Sequence, residues 1–186
     1  TLFYYCEHSF NGVTLILIQG IIYIMKIKLL ITGGTIDKTY KELSGELSFT
    51  QTHIIEILNR GRSTVNIDSE VLFLKDSLEM NDKDRDLILS KCLECDEDKI
   101  IITHGTDTMV DTAQLLGDKI KDKTIVLFGS MIPYSVNNSD ALFNLGGALS
   151  AVQNKKQGVY IAMNGQIFDF DKVEKNKKLG IFQTRE

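Results

Sequence analysis

The segment KIKLLITGGT, residues 26–35, decides the fold, because an apolar run of strand character ends in a pair of glycines. Short runs rich in Ile, Leu and Val alternate along the rest of the chain with segments of helical period, which is typical of βαβ units around a parallel sheet. The predicted strands are 26–31, 70–74, 99–102, 124–128 and 159–163, and the predicted helices are 52–59, one that begins after Asn81, 108–117 and 139–153. We therefore predict an α/β fold of three layers, an open and mostly parallel sheet with helices on both faces.

Three of the predicted helices have an apolar face at helical spacing. These faces are expected to pack against the sheet. They consist of Ile54, Ile55 and Leu58 in the first helix, Leu87, Ile88 and Cys92 in the second, and Leu142, Leu145, Leu149 and Val152 in the last.

Length and composition limit the class of protein. A chain of 186 residues with 43% hydrophobic and 25% charged residues has the balance of one globular domain. Its net charge of −4 does not provide the basic surface that binds nucleic acid or an anionic membrane. Three cysteines do not form a disulfide framework, which predicts a reducing compartment, the cytoplasm. The expected partner is a small polar molecule.

The first 24 residues are interpreted as an extension that precedes a single domain at residues 25–186. The apolar run at residues 13–24 is shorter than the ~20 residues of a transmembrane helix, and Gln19 and Gly20 interrupt it. A secretory signal has basic residues before its apolar core, and residues 1–12 contain no Lys or Arg. The alternative interpretation of this stretch is a signal or a membrane anchor.

Small and hydroxylic residues follow the predicted strands at the points where they end. In open α/β sheets, ligands bind in the crevice outside the carboxyl ends of the strands. A connecting loop has no need of so many hydroxyls, so we predict the functional site at this edge. The four segments are TGGT at 32–35, THGTDT at 103–108, GSM at 129–131 and NG at 164–165.

Thr35 is the leading candidate for a nucleophile. Gly33 and Gly34 permit backbone angles that other residues avoid, and they leave the Thr35 hydroxyl uncrowded beside backbone N–H groups that can form an oxyanion site. A threonine hydroxyl needs a base or a proton relay at neutral pH. The alternative interpretation is structural, with residues 33–35 forming a tight turn from strand to helix that Thr35 caps.

Thr106 and Asp107 follow a neighbouring strand and can supply a relay hydroxyl and a carboxylate. The carboxylate can hold the ammonium of a ligand or of a lysine, or it can cap the helix that begins at Thr108. His104 is the other base of this motif. Its place on the strand side of Gly105 favours a buried structural histidine over a catalytic one.

The combination of motifs resembles the bacterial L-asparaginases. TGGTI at 32–36 is similar to the first signature of that family and HGTDTM at 104–109 to the second, and GSMIP at 129–133 and SDALFNL at 139–145 follow at similar spacing. The resemblance runs from about Met25 to the end of the chain and matches the N-terminal domain of two-domain enzymes. It is closer still to stand-alone proteins made of this domain, so the small C-terminal domain is expected to be absent.

This resemblance implies hydrolysis of the side-chain amide of L-asparagine to aspartate and ammonia through an acyl-threonine intermediate. Thr35 matches the nucleophile of the family. Thr106 and Asp107 match the second threonine and the aspartate, and Lys175 matches the lysine that completes the proton relay. A positioned acid or base contributes about 10²–10⁴-fold to a rate, so the loss of this lysine is expected to be severe.

The resemblance also implies contacts to the substrate. Ser77 matches the serine that binds the α-carboxylate, and Leu78 stands where many two-domain members have a polar residue. A mobile loop that carries a tyrosine closes over the first threonine of the family, and here it corresponds to about residues 37–50 with Tyr40 as its only tyrosine. The other expected substrate-binding residues are Gly34, Gly105 and Ser130.

No cofactor and no metal ion is expected. Cys92 and Cys95 lack partner ligands, and acidic residues 96–98 follow them, so we interpret them as one core thiol and one surface thiol. Neither nucleic acid nor a membrane is an expected partner. A homodimer or homotetramer is implied by the resemblance alone.

Two other functions remain open. An amidase for another small carboxamide such as glutamine keeps the chemistry and changes the substrate, which the apolar Leu78 favours. A catalytically weak domain that binds a small ligand would use the glycine turn to hold an anion. The chain lacks both the G-x-G-x-x-G and the G-x-x-x-x-G-K-[ST] spacing of nucleotide-binding loops. Release of ammonia from asparagine, glutamine and other amides distinguishes these functions.

Overall fold

The computed structural model describes residues 6–10, 13–18 and 21–185, with side chains from residue 25 onward. Single turns of 3₁₀ helix lie at Thr35–Asp37 and Ser77–Glu79. The helices are α1 (Ile54–Arg60), α2 (Asp82–Glu94), α3 (Met109–Lys119) and α4 (Ala141–Asn154). The strands are β1 (Cys6–Phe10), β2 (Val13–Ile18), β3 (Ile21–Ile24), β4 (Ile27–Gly33), β5 (Lys38–Lys41), β6 (Glu46–Phe49), β7 (Ile67–Lys75), β8 (Lys99–Thr103), β9 (Thr124–Phe128), β10 (Gly158–Met163), β11 (Gln166–Asp169), β12 (Val173–Asn176) and β13 (Ile181–Thr184).

The central sheet has six strands in the order β11-β10-β9-β8-β4-β7. All neighbouring pairs are parallel except β10 and β11, which are antiparallel. Because β4, β7, β8, β9 and β10 run in the same direction, their carboxyl ends lie at one edge of the sheet. The predicted α/β class is confirmed.

Helices cover both faces of this sheet, as predicted. Helices α1 and α4 pack over one face, where Ile54 and Leu145 join the core around Leu29. Helices α2 and α3 pack over the other face, where Ile88 and Leu116 are buried. Burial of an apolar side chain of this size stabilises the fold by about 1.5–3 kcal/mol relative to leaving it exposed, so the two cores hold the three layers together.

The predicted strands and helices all form, but three of the residues that we expected to face inward do not. Ile55, Leu87 and Leu142 are 48%, 39% and 40% exposed. The reason is clearest in α4, whose buried face includes Ala141, Ala148 and Ala151. Small side chains let this helix approach the sheet closely, so its contact face is set by alanines and not only by the leucine spacing.

The Asn81 side chain caps the start of α2. The Asn81 side chain accepts hydrogen bonds from the backbone N–H groups of Lys83 and Asp84, and the Asp84 carboxylate accepts one from the Asn81 N–H. This reciprocal capping box satisfies N–H groups that the first helical turn leaves without partners. The same residues therefore fix where α2 begins, immediately after the turn that carries Ser77.

Several antiparallel hairpins complete the fold and were not predicted. Strands β5 and β6 form one hairpin, and β12 and β13 form another. Val173 and Phe182 on the second hairpin are fully buried in the core under α2 and α3. The β12–β13 hairpin is thereby anchored to the domain, which matters because it carries Lys175.

The segment before residue 25 lies partly outside the described residues. Within the described ranges, β1, β2 and β3 pair with one another as an antiparallel sheet and with none of the six central strands. None of the helices in the described residues has the length and apolar character needed to cross a membrane. The domain boundary at residue 25 stays a prediction.

Candidate active site

The glycine turn after β4 adopts the backbone angles that its sequence predicts. Gly33 and Gly34 have φ angles of +91° and +85°, a region that side chains with a Cβ rarely occupy. The Gly34 N–H donates to the carbonyl oxygen of Lys75, so this N–H is committed to β7 and does not join an oxyanion site. Thr35 then begins the first 3₁₀ turn and is half-buried.

Three segments at the carboxyl edge of the sheet contact one another through backbone. A Cβ added to Gly34 would lie 2.5 Å from the backbone nitrogen of Gly105, and one added to Gly105 would lie 2.7 Å from the Ser77 hydroxyl oxygen. Neither position has room for a side chain. Thr35 directly follows Gly34 and Thr106 directly follows Gly105, so the two segments that carry these threonines meet at this contact.

Replacement of glycine by alanine is expected to change stability in opposite directions at two positions, one crowded and one open. Gly34→Ala combines a left-handed backbone with overlap against Gly105, so we expect it to lower the free energy of unfolding by about 2–4 kcal/mol. Gly147→Ala in α4 meets nothing within 4 Å, so we expect it to raise that free energy by about 0.5–1 kcal/mol. Urea unfolding of both variants measures the two changes. A Gly34→Ala protein as stable as the wild type would contradict the close approach.

Lys175 joins Thr106 and Asp107 into one cluster. Its Nζ donates to the Thr106 hydroxyl oxygen at 2.7 Å and to the Asp107 Oδ1 at 2.8 Å. The Lys175 side chain is 9% exposed, whereas that of Asp107 is 36% exposed. The lysine is therefore held inside the site while the carboxylate keeps one side open to a ligand.

Neither Thr35 nor Asp107 has the capping role that the structural alternatives assign to it. Gly34, and not Thr35, is the N-cap residue of the 3₁₀ turn, and no side chain caps that turn. Thr108 is the N-cap residue of α3, again without a side-chain cap, and its hydroxyl donates to the Ser77 carbonyl oxygen at 2.9 Å. The hydroxyl of Thr35 and the carboxylate of Asp107 are thus not used as helix caps.

Ser77 presents a buried hydroxyl at this edge. It is 1% exposed, and its Oγ has no hydrogen-bond partner in the part of the chain that the structure describes. A buried polar group without a partner costs about 1–3 kcal/mol. A ligand oxygen that bonds this hydroxyl would remove that cost, which makes Ser77 a favourable binding group.

An ion pair that was not predicted connects the Ser77 turn to the β5–β6 hairpin. The Asp76 carboxylate caps the turn by accepting from the Leu78 N–H at 3.0 Å, and its other oxygen pairs with the Lys38 ammonium. Partial burial raises the pKa of Asp76, but the bonds from Lys38 and Leu78 outweigh this and hold the pKa below its usual value. No sequence pattern links positions 38 and 76.

The contacts of two further predicted substrate-binding residues are as follows. The buried Ser130 hydroxyl donates to the Ile132 carbonyl oxygen at 2.7 Å, a contact inside its own turn. Tyr40 is 55% exposed on the β5–β6 hairpin, with its hydroxyl 4.0 Å from the place of a Cβ on Gly45. Their contact with a substrate stays a prediction. Leu78 is 69% exposed beside the Ser77 turn.

His104 is a structural histidine, as predicted. Its ring is fully buried, with Nδ1 at 2.8 Å from the Gly105 carbonyl oxygen and Nε2 at 2.8 Å from the Thr112 hydroxyl. Burial lowers the pKa of His104 to about 4, so the ring is neutral at pH 7. It supports the loop that carries Thr106 by bonding the residue before it.

The buried His104 predicts that stability depends on pH. Its pKa falls from 6.5 to about 4 on folding, so the unfolded chain takes up the proton first as the pH is lowered. The neutral ring makes its full contribution to the free energy of unfolding above pH 6.5, and this contribution is lost as the pH falls towards 4. We expect the urea midpoint of the wild type to fall more steeply over this range than that of His104→Gln.

The comparison with His104→Gln is needed because Asp37 has the opposite effect on how stability changes as the pH is lowered. Burial raises the pKa of this carboxyl above 3.8, which favours the folded state at low pH. Asp37 is present in both proteins, so the difference between their slopes isolates His104. Equal slopes would show that the buried ring does not titrate as described.

Cys92 and Cys95 are not joined by a disulfide bond. Cys92 is buried and Cys95 half-buried, and both are free thiols. Burial raises the pKa of Cys92 to about 12, which makes it unreactive. Within residues 25–185, no group of three or more His, Cys, Asp or Glu side chains is arranged to hold a metal ion.

Comparisons with known proteins, by sequence and by structure, match this domain to asparaginases. The family model described as "Asparaginase, N-terminal" matches residues 26–183. A "Probable L-asparaginase periplasmic" of Haemophilus influenzae is 34% identical over 170 residues, which cover 83% of this chain and 47% of that protein.

Solved structures give the same result. The thermostable L-asparaginase of Thermococcus kodakarensis superposes with a TM-score of 0.77 at 32% identity, and a probable cytoplasmic L-asparaginase of Campylobacter jejuni with 0.72 at 30%. Each match covers 86% of this chain and 51% of the other. The chain therefore spans about half the length of the relatives that it matches.

Proposed function

The chain belongs to the asparaginase family, and from this premise we propose that it is an amidohydrolase that converts L-asparagine and water to L-aspartate and ammonia. The observation that carries the proposal is the Lys175 ammonium, bonded to both Thr106 and Asp107 although 69 and 68 residues separate it from them. The signature motifs by themselves contain the threonines and the aspartate. The β12–β13 hairpin adds the Lys175 amine, the basic group that such a relay requires.

Thr35 is the proposed nucleophile. Its oxygen forms a bond to the carbon of the substrate amide, the bond from that carbon to nitrogen breaks, and the nitrogen leaves as ammonia after it receives a proton. The products of this first step are ammonia and an ester between Thr35 and the substrate acyl group. Water then attacks the ester carbon, which releases aspartate and restores the Thr35 hydroxyl.

Lys175 and Thr106 are proposed to move the proton. The Thr106 hydroxyl accepts a hydrogen bond from Lys175, so its own hydrogen remains free to bond another oxygen. A proton released by Thr35 can pass through Thr106 to Lys175 when the lysine is neutral. The Asp107 carboxylate accepts a hydrogen bond from the same Lys175 Nζ and so fixes the position of the amine beside Thr106.

Ser77 and Asp107 are proposed to bind the ends of the amino acid. The unpaired Ser77 hydroxyl suits an oxygen of the α-carboxylate, and the open side of the Asp107 carboxylate suits the α-ammonium. Gly34 and Gly105 leave the floor of the site without side chains. Ser130 and Tyr40 are also proposed to contact the substrate.

Leu78 favours a second candidate substrate class. Its exposed side chain beside the Ser77 turn offers no hydrogen bond to asparagine, so another small carboxamide, such as glutamine, is the alternative. The test is ammonia release from asparagine, glutamine, acetamide and succinamic acid by the purified chain. Preference for asparagine supports the proposal, and release only from another amide supports the alternative. No release from any amide leaves a weak binding domain.

We further propose a cytoplasmic location and a homodimer or homotetramer. The free thiols of Cys92 and Cys95 are consistent with a reducing compartment. The assembly state is carried over from the family resemblance, and sedimentation of the purified protein measures it.

A further inference from the structure

Asn164 lies at the carboxyl edge of the sheet, and the proposed reaction gives it no role. With Gly165 it forms the two-residue turn that connects β10 to β11, where Met163 pairs with Gln166. Both turn residues have positive φ angles, 54° and 76°. Asparagine and glycine both tolerate this conformation, so the backbone of the turn does not by itself require the asparagine side chain.

The side chain of Asn164 contacts the hairpin that carries the catalytic lysine. Its Oδ1 accepts a hydrogen bond from the Phe182 N–H at 2.8 Å. Phe182 lies on β13 directly opposite Lys175 on β12. The Asn164 Oδ1 therefore holds the strand position that faces Lys175.

The other side of Asn164 is fixed to the core of the domain. Its backbone N–H donates to the Asn144 Oδ1 at 3.2 Å, and Asn144 is 2% exposed. The Nδ2 group of Asn144 donates to the Gly129 carbonyl oxygen at 3.0 Å and to the Asp140 carboxylate at 2.8 Å. Each polar atom of the Asn144 amide is thus engaged, which fixes its orientation.

The β12–β13 hairpin depends on such anchors. An isolated two-stranded hairpin is at best marginally stable in water. Val173 and Phe182 fix its depth through their burial in the core, but apolar contacts are not directional. The hydrogen bond from Phe182 to Asn164 is directional, so it can set the position of the strand along the edge of the sheet.

We propose that Asn164 is a positioning residue for Lys175. Its side-chain oxygen holds the hairpin against the end of β10 and so keeps the Lys175 ammonium on Thr106 and Asp107. The effect on catalysis rests on the proposed function, whereas the effect on the position of Lys175 does not. A displacement of about 1 Å at a reacting group can lower a rate by about 10²-fold.

Two substitutions at Asn164 separate its side-chain oxygen from its backbone. Asn164→Gly keeps the positive φ angle and the N–H to Asn144 but removes the oxygen, whereas Asn164→Asp keeps an oxygen acceptor. We expect the glycine variant to lower kcat for asparagine by about 10–100-fold while KM changes less than about threefold. The aspartate variant should remain within about threefold of the wild-type kcat.

A second readout does not depend on activity. Reductive methylation followed by peptide mass spectrometry measures how fast each lysine is modified. We expect Lys175 to be modified at least about fivefold faster in the glycine variant than in the wild type, because loosening of the hairpin exposes it. Lys177 and Lys178 are exposed in the wild type and serve as internal references whose rates should not change.

The outcomes distinguish the positioning role of Asn164 from the proposed amidohydrolase function. Unchanged Lys175 modification in the glycine variant overturns the positioning role, and so does an aspartate variant that behaves like the glycine variant. If the wild type releases no ammonia while Lys175 modification still rises in the glycine variant alone, the proposed function fails and the positioning role stands.

Discussion

Replacement of Thr35 by alanine is expected to lower kcat for L-asparagine hydrolysis by at least about 10⁴-fold, because the variant has no oxygen to form the acyl intermediate. The fold should persist, since Thr35 is only half-buried and does not cap its turn. Steady-state ammonia release and a thermal melt measure the two properties together. The expected signature is a loss of activity in a protein that melts close to the wild type.

Thr35→Ser is the matched variant, because it keeps the hydroxyl and removes only a methyl group. We expect it to retain activity within about 10²-fold of the wild type. Thr64→Ala, at an exposed position before β7, removes a threonine away from the site and should change nothing. An alanine variant at position 35 that keeps a tenth of the wild-type kcat would exclude Thr35 as the nucleophile.

Replacement of Lys175 by methionine is expected to lower kcat by about 10²–10⁴-fold, with a smaller change in KM. Methionine keeps most of the aliphatic length but cannot accept or donate the proton. It also leaves the Thr106 hydroxyl and the Asp107 carboxylate without the bonds that hold them at 2.7 and 2.8 Å.

The neighbouring lysines provide the control for the loss of a charge and for the choice of position 175 as the relay lysine. Lys177→Met and Lys178→Met remove the same charge from exposed positions two and three residues further along the chain. Their kcat should remain within about twofold of the wild type, because surface charges contribute little. If Lys177→Met lost as much activity as Lys175→Met, the assignment of the relay lysine would be wrong.

The architecture of this domain is predictable from its sequence because its central strands are buried on both faces. Residues 100–102 and 125–128 are apolar throughout, and every one of their side chains is buried. The tight turn at Gly33 and Gly34 is predictable for a similar reason, since glycine favours the positive φ angles that the turn adopts. The central strands and the glycine turn are therefore determined by the residues within each segment.

The hairpins and the helix faces were harder to predict because they depend on distant contacts. Strands β12 and β13 have four residues each and carry Glu, Lys, Asn and Gln, so their sequence has no strong strand pattern. Their place in the fold comes from Val173 and Phe182 in the core. Position 175 was identified by resemblance, whereas its contact with Thr106 required the folded hairpin.

The contacts around the site were predictable only in part. The motifs identified Thr106 and Asp107, but the ion pair between Lys38 and Asp76 and the bond from Asn164 to Phe182 join segments with no common pattern. The orientation of Tyr40 also depends on the β5–β6 hairpin, which was expected as a loop. Such contacts depend on which segments the sheet brings together.

The central claim is that Thr35 attacks a carboxamide carbon and becomes acylated. Mass spectrometry tests it most directly, after brief reaction of the protein with an asparagine analogue that leaves a stable acyl group. The predicted result is one adduct per chain, located on Thr35 within the tryptic peptide LLITGGTIDK, residues 29–38, and absent from Thr35→Ala. An adduct on any other residue, or equal labelling of Thr35→Ala, would contradict the claim.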